Sequence, residues 1–461
     1  MMDARGKNFL ILGLGASGYA AARKLLTLGA NVSTVDTSVA YEVMKRAAEL
    51  QEAGAKSVIW GLPADMLKNQ DFLIVSPGVP VDEPVIKSAR RRGVAVMSEL
   101  ELAYQLTDSP IIAVTGTNGK STVVTMLGEI FTTAGVSNLV AGNIGRPLVD
   151  AIDEADPETV LIVEVSSFQM ETVVDFRPRV AVLLNITEDH IDRHKDMRVY
   201  REAKARLFRK QQPEDFAVVN LDDPEVTKVL DGIKSSLVPY STEQQTERGV
   251  FVENGTIWAV LPPEYKPETV GSAGDIHFKG SHNLENALAA IAVGLVWGLP
   301  AGDIMKAIAN FKGLSHRIEF VAEKGGVKYY DDSKATNPDA VKRALGAFDE
   351  PVVLLAGGRN KGMDFSSLKS VLEKKVKAAV LFGESADELA GIIKDAGRTP
   401  SATAKSIEEA VNLAAERAVP GDAVLLSPGC ASFDMFNGYA ERGQAFQDAV
   451  RALPDGSAGG D

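Results

Sequence analysis

Ala113-Val114-Thr115-Gly116-Thr117-Asn118-Gly119-Lys120-Ser121-Thr122 is a glycine loop between an apolar run at 111–114 and a helical pattern over 123–131. Strand, loop and helix in that order are the unit from which parallel α/β sheets are built. The glycines let main-chain N–H groups curl around phosphates, Lys120 can reach β and γ oxygens, and Ser121 can bind Mg²⁺. The spacing departs from the general phosphate loop. Counting back from Lys120, the first glycine of G-x-x-x-x-G-K would fall at Val114, so the loop here is G-x-x-G-K-S.

Outward from this loop, short apolar runs alternate with longer helical patterns along the chain. Toward the N-terminus, residues 9–12, 32–36 and 72–75 read as strands and 19–28 as a helix. Around the loop come 111–114, 160–165, 180–184 and 216–220, and toward the C-terminus 327–330, 352–355, 378–382 and 423–426. The expected class is α/β in three domains: 1–98, 99–313 and 314–461. Residues 232–275 are turn-rich, with strand-like 250–252 and 256–260, and read as an excursion from the second domain. The polar tail from Pro454 is expected to fray.

Gly13-Leu14-Gly15-Ala16-Ser17-Gly18 matches G-x-G-x-x-G between a strand and a helix, and Asp36 ends the next strand. Such a turn offers backbone N–H groups and a helix N-terminus to a diphosphate. Alone it fits a ligand-free turn, NAD(P) or another nucleotide diphosphate. A nicotinamide enzyme has no use for the 116–121 loop, so the two motifs together point to ATP plus a second nucleotide.

Composition narrows the partners. Among 461 residues, 49 Lys and Arg stand against 62 Asp and Glu, a formal charge of −13. Phosphate binding on the scale of a nucleic acid or an anionic membrane needs a net basic face, so neither is expected. No run of about 18 apolar residues occurs. The lone Cys430 excludes an intramolecular disulfide framework and a Cys-rich zinc site, and with no visible signal peptide a cytoplasmic location is expected.

Glu164 and the pair Asp189-His190 fall at or after the carboxyl ends of expected strands, where open α/β sheets bind ligands. A carboxylate there is the usual second anchor for nucleotide-bound Mg²⁺, although a surface salt bridge explains Glu164 equally well from spacing alone. His190 fits a structural role as readily. Lys204, in Tyr200-Arg201-Glu202-Ala203-Lys204, reads as a solvated helix residue. Asn337 followed by Pro338 reads as a helix N-cap and first turn, which leaves Asp331, Asp332 and Lys334 unexplained.

Taken in order, these segments resemble the Mur ligases, ATP-dependent amide-forming enzymes of peptidoglycan synthesis. The shared pattern is Thr-Gly-Thr-Asn-Gly-Lys-Ser, then Glu164-Val165-Ser166-Ser167-Phe168-Gln169, then Asn185-Ile186-Thr187-Glu188-Asp189-His190, then the segment ending in Lys204. Gly280-Ser281-His282-Asn283-Leu284-Glu285-Asn286, His316-Arg317 and Asp332-Ser333-Lys334-Ala335-Thr336-Asn337 complete it. The resemblance covers residues 8–450. Ser76-Pro77-Gly78, Gly357-Gly358-Arg359-Asn360-Lys361-Gly362 and the 426–436 segment bring it nearest to the members that add D-glutamate. Gly429 stands where those members commonly carry alanine.

The resemblance implies a Rossmann-like N-terminal domain for a UDP-sugar, a central P-loop-type mononucleotide-binding domain, and a Rossmann-like C-terminal domain contacting the amino acid and ATP. It implies a monomer using ATP and two Mg²⁺ ions to join D-glutamate to UDP-N-acetylmuramoyl-L-alanine through an acyl phosphate. Gly116, Thr117, Asn118, Gly119, Lys120, Ser121 and Thr122 would hold ATP. So would Asn283, Asn286, Arg317, Asp332 and Lys334. Ser121 and Glu164 would hold one Mg²⁺, and His190 with a carbamate on Lys204 the other. Lys120, Glu164, His190, Lys204 and Lys334 would form the catalytic set. Gly15, Ala16, Ser17, Gly18, Asp36, Thr37, Ser76 and Asn143 would hold the UDP-sugar, and Thr336, Lys361, Ser432 and Tyr439 D-glutamate. The competing readings are an NAD(P) oxidoreductase, which leaves the 116–121 loop unused, a nucleotide-binding regulator without turnover, and a sister ligase for another amino acid.

Overall fold

The computed structural model describes residues 2–59, 66–189, 191–276, 281–395, 397 and 400–454. Three sheets organise them. The first comprises β1 (Asn8–Leu12), β2 (Asn31–Asp36), β3 (Lys56–Ile59), β4 (Phe72–Val75) and β5 (Ala95–Ser98), in the parallel order β3-β2-β1-β4-β5. Leu12 pairs with both Val35 and Val75, so the glycine turn after β1 lies level with Asp36 and Ser76. Helix Ala16–Thr27 begins three residues earlier than its apolar pattern suggests. The turn itself supplies the N-cap, with Gly15 in an extended conformation.

The second sheet holds β6 (Ile111–Thr115), β7 (Asn138–Gly142), β8 (Val160–Glu164), β9 (Val180–Leu183), β10 (Phe216–Asn220), β11 (Ser236–Ser241), β12 (Gly249–Glu253), β13 (Thr256–Val260) and β14 (Pro267–Ser272). Their order is β14-β13-β12-β11-β10-β9-β6-β8-β7. Pairing is parallel from β7 to β12 and antiparallel through the two last hairpins. The 232–275 excursion therefore extends this sheet. Every residue of β6, β8 and β9 is buried, as expected of parallel strands covered on both faces. Val114 pairs with Glu164 and with Val182, which brings the phosphate loop and Glu164 to one edge of the sheet.

The third sheet contains β15 (Glu319–Lys324), β16 (Val327–Asp331), β17 (Val352–Gly357), β18 (Val376–Phe382), β19 (Ser401–Ala404) and β20 (Ala423–Gly429), ordered β15-β16-β20-β17-β18-β19. Only β15 is antiparallel. Apolar clusters cover both faces, one around Phe348 and Leu354, the other around Val353 and Phe446. Gly429 closes β20 at φ +70, a left-handed conformation that alanine adopts only with strain.

The chain divides into two compact units. One comprises Met1–Ile186, Arg198–Asp275 and Asn286–Ala309, the other Thr187–Met197, Ile276–Glu285 and Asn310–Asp461. Within the first, helix Glu99–Leu106 carries two buried acids. Glu99 accepts from Val149 N at 2.7 Å, and Glu101 accepts from the main chain of Val174, Asp175 and Phe176 at 2.8–3.1 Å. Burial, reinforced by the charge of Asp150, pushes the Glu99 carboxyl up to about 7.

Candidate active site

The phosphate loop is held by its own strand neighbours. Thr117 N donates to Asn185 O at 2.9 Å, Asn118 N donates to Asn185 Oδ1 at 2.8 Å, and Asn185 Nδ2 returns a bond to Asn118 O at 3.0 Å. Gly119 caps helix Lys120–Thr133 at φ +87, and a Cβ there would meet Asn286 Oδ1 at 2.3 Å. Both constraints require glycine. Lys120 Nζ donates back to Gly116 O at 2.9 Å and to Thr117 O at 2.8 Å. Ser121 and Thr122 are buried in the first helical turn.

Lys204 is 1% exposed, which corrects its reading as a solvated residue. Its Nζ donates to Gly116 O at 2.8 Å and lies 4.5 Å from the Tyr200 ring centroid. Tyr200, Ala203 and Leu207 are also buried, so Lys204 occupies an i, i+3, i+4, i+7 apolar stripe, a signal present in the sequence. Glu164, at the end of β8, is 3% exposed and makes no surface salt bridge among the described residues. Its Oε1 accepts from Asn143 Nδ2 at 2.9 Å, whereas its buried Oε2 has no hydrogen-bond partner among the described residues. A buried carboxylate oxygen in that state suits a cation. His190 lies outside the described residues. Asn283 and Asn286 are buried three positions apart on helix Ser281–Trp297, on one face.

In the second unit, Arg317 stands between two left-handed residues, His316 (φ +62) and Ile318 (φ +46). His316 is clasped: Nδ1 lies 2.6 Å from Asp331 Oδ2, its N donates to Glu319 Oε2 at 2.7 Å, and its O accepts from Lys334 N at 3.1 Å. Gln447 Nε2 donates to both carboxylates. The clasp spans the distances a metal would need, but its polar atoms already satisfy one another. Asp332 accepts from Ser427 Oγ at 2.8 Å, and burial pushes its carboxyl up to about 7 against the opposing pull of Arg317. Lys334 Nζ lies 5.2 Å from the Tyr439 ring centroid, and Ser333 Oγ donates to Tyr439 O.

Lys361 Nζ lies 3.1 Å from Asp189 Oδ1, and Asn337 Nδ2 donates to Asp189 Oδ2 at 3.2 Å. Thr336 is half-buried and Ser432 is buried. The second unit also holds a residue the sequence reading passed over. Arg442, fully buried, donates to Ser333 Oγ, Ser333 O and Cys430 O at 2.8–3.1 Å, and burial lowers its guanidinium to about 10. Its register with Phe446 and Val450 marks an arginine on an apolar helix face.

A separate cavity of about 520 Å³ opens at the glycine turn after β1. Gly15, Ala16, Ser17, Asp36, Thr37 and Ser76 all line it. Gly18 stands behind, where a Cβ would meet Gly13 O at 1.9 Å and Ser76 Oγ at 2.4 Å. Ser76 Oγ donates to Gly13 O at 2.7 Å, and Asp36 Oδ2 accepts from Leu14 N at 2.6 Å. Asn143 is not in the lining; it belongs to Glu164.

Family models match three stretches: the MurD-like N-terminal domain over residues 7–98, the Mur ligase middle domain over 114–294, and the Mur ligase glutamate ligase domain over 316–430. A UDP-N-acetylmuramoylalanine--D-glutamate ligase of Pelotomaculum thermopropionicum is 44% identical over 99% of this chain and 100% of its own. The chain belongs to the Mur ligase family. A ligase of the same name from Caldanaerobacter subterraneus is 40% identical over 98% of this chain and 100% of its own. Among solved structures, a pseudomurein peptide ligase type C from Methanothermus fervidus shares the fold at a TM-score of 0.60, with 17% identity over 97% of this chain and 100% of that one. Mur ligases use ATP and Mg²⁺. Among the described residues no helix is long and apolar enough to cross a membrane.

Proposed function

We propose that this Mur ligase joins D-glutamate to UDP-N-acetylmuramoyl-L-alanine in peptidoglycan precursor synthesis, with ATP converted to ADP and phosphate. The observation that carries the reading is the full-length identity to D-glutamate ligases, borne by a chain that keeps a glycine-dependent phosphate loop and a half-paired Glu164 on one sheet edge. A carboxylate does not react with an amine in water, so it must first become a better electrophile. An oxygen of the alanine carboxylate bonds to the γ-phosphorus and ADP leaves. The glutamate nitrogen then bonds to the acyl carbon, the bond from that carbon to the phosphate oxygen breaks, and the amine releases its proton.

The 116–122 loop and Lys120 are assigned to the ATP phosphates, with Asn283, Asn286, Arg317, Asp332 and Lys334 completing the ATP contacts. Ser121 and Glu164 are assigned to one Mg²⁺, and His190 with carbamylated Lys204 to a second. The unpaired Glu164 Oε2 supports the first assignment. The burial of Lys204 against a neutral carbonyl oxygen supports the second, because a carbamate there replaces an ammonium by an anion suited to a cation. When bound, Mg²⁺ supplies the positive charge that lets two anions approach. Lys120, Arg317 and Lys334 add to it. Thr336, Lys361, Ser432 and the main chain at Tyr439 are assigned to D-glutamate, and the 520 Å³ cavity with Asn143 to the UDP-sugar. Domain limits of 1–98, 99–313 and 314–461, a monomeric state and a cytoplasmic setting belong to the same proposal, the last supported by the buried, unpaired Cys430. Phosphate release that depends on UDP-N-acetylmuramoyl-L-alanine and D-glutamate tests it.

A further inference from the structure

The cavity at the Gly13–Gly15 turn has a charge problem. Asp36 and Glu83 line it, and no Lys or Arg does so among the described residues. A nucleoside diphosphate-sugar brings two more negative charges into a protein of net charge −13. Helix Ala16–Thr27 meets part of this demand, because its N-terminus carries no side-chain cap and no acid in its first turn. Leu14 N–H is already taken by Asp36.

One cationic side chain outside that lining bonds to the turn itself. From helix Tyr41–Glu52, Arg46 Nη1 donates to Leu14 O at 3.1 Å, between the two glycines that line the cavity. Its guanidinium also lies 5.8 Å from the centroid of the Tyr19 ring, and Tyr19 Oη is fixed by Glu49 Oε2 at 2.6 Å. Arg46 makes no ion pair among the described residues. A half-buried guanidinium is thus held at the glycine turn by a neutral carbonyl and an aromatic ring, with no direct ion pair among the described residues and further N–H groups to offer. Asp36 makes no ion pair with it: its Oδ2 accepts from Leu14 N at 2.6 Å and its Oδ1 from Ser38 N at 2.7 Å.

We infer that Arg46 is the cation that receives the diphosphate of the UDP-sugar, with Leu14 O and Tyr19 as its positioning partners. This rests on the assignment of the cavity to the UDP-sugar. It makes affinity in the first sheet depend on phosphate charge as well as on the base and ribose.

Titration calorimetry of the full-length protein with UDP, UMP and uridine tests both levels. Wild-type protein should bind UDP more tightly than uridine. Arg46→Gln should weaken UDP by about 10- to 100-fold while leaving uridine within about twofold, and Arg46→Lys should fall between. In turnover, Arg46→Gln should raise the KM for the UDP-sugar and leave those for ATP and D-glutamate unchanged, a split that general misfolding would not give. UDP affinity within about twofold of wild type in Arg46→Gln overturns the role of Arg46 alone. Wild-type protein that shows no preference for UDP over uridine overturns the cavity assignment on which it stands.

Discussion

Lys204 Nζ lies 2.8 Å from the main-chain oxygen of Gly116, the same oxygen that Lys120 Nζ reaches at 2.9 Å. Two cations thus converge on one neutral carbonyl of the phosphate loop, one from helix Met197–Ala205 and one from the loop itself. Conversion of Lys204 to a carbamate changes the sign of one of them. Lys204→Arg keeps the cation but cannot carry the carbamate in the same way, and it should lose at least about 100-fold in kcat. A ¹³C carbamate resonance from labelled bicarbonate should appear in wild-type protein and vanish in the variant. Near-normal turnover by Lys204→Arg would show that a fixed cation suffices there and that no carbamate is needed.

Gly119→Ala places a methyl group against Asn286 at a backbone angle that alanine adopts only with strain. The expected outcome is a stability loss of at least about 1 kcal/mol in denaturant unfolding. The KM for ATP should rise as the loop shifts. Unaltered nucleotide affinity would separate this glycine from phosphate binding.

The Lys361 ammonium is matched to Asp189 at 3.1 Å, and an arriving D-glutamate carboxylate would exchange for that partner. Lys361→Ala should therefore raise the KM for D-glutamate much more than the KM for ATP. Equal changes in both constants would place Lys361 outside the amino-acid site.

Glu99 gives a pH signature. Its carboxyl titrates near 7 in the folded chain against 4.5 for a free glutamate, so between those values the folded state holds a proton that the unfolded state has released. Stability contributed by this site is present at the acid end, falls as pH rises through the window, and is level above about 7. Glu99→Gln keeps an acceptor for Val149 N and does not titrate. The loss of stability across the window should shrink by up to about 3 kcal/mol, with a remaining slope from Asp332. Parallel stability–pH curves for the two proteins would contradict the buried-acid reading.

The strand–loop–helix units were legible because glycine spacing and apolar runs are local signals. The 116–121 loop and the turn at Gly13 lie where those signals place them, at the carboxyl ends of β6 and β1. β14 and β15 escaped notice because both are mostly exposed or half-buried strands with little apolar contrast. Lys204 and Arg442 were misread or missed for the opposite reason: charge suggests solvent, and only their register on an apolar helix face reveals burial. The His316 clasp assembles groups from β15, β16 and helix Tyr439–Ala452, so no spacing in the chain announces it.

The most direct test of the account is ADP formation by purified protein supplied with ATP, Mg²⁺ and UDP-N-acetylmuramoyl-L-alanine, with D-glutamate compared against L-glutamate and L-alanine. The account predicts ADP and phosphate release that requires the UDP-sugar and is selective for D-glutamate. Absence of ADP under these conditions, or equal turnover with L-alanine, would contradict it.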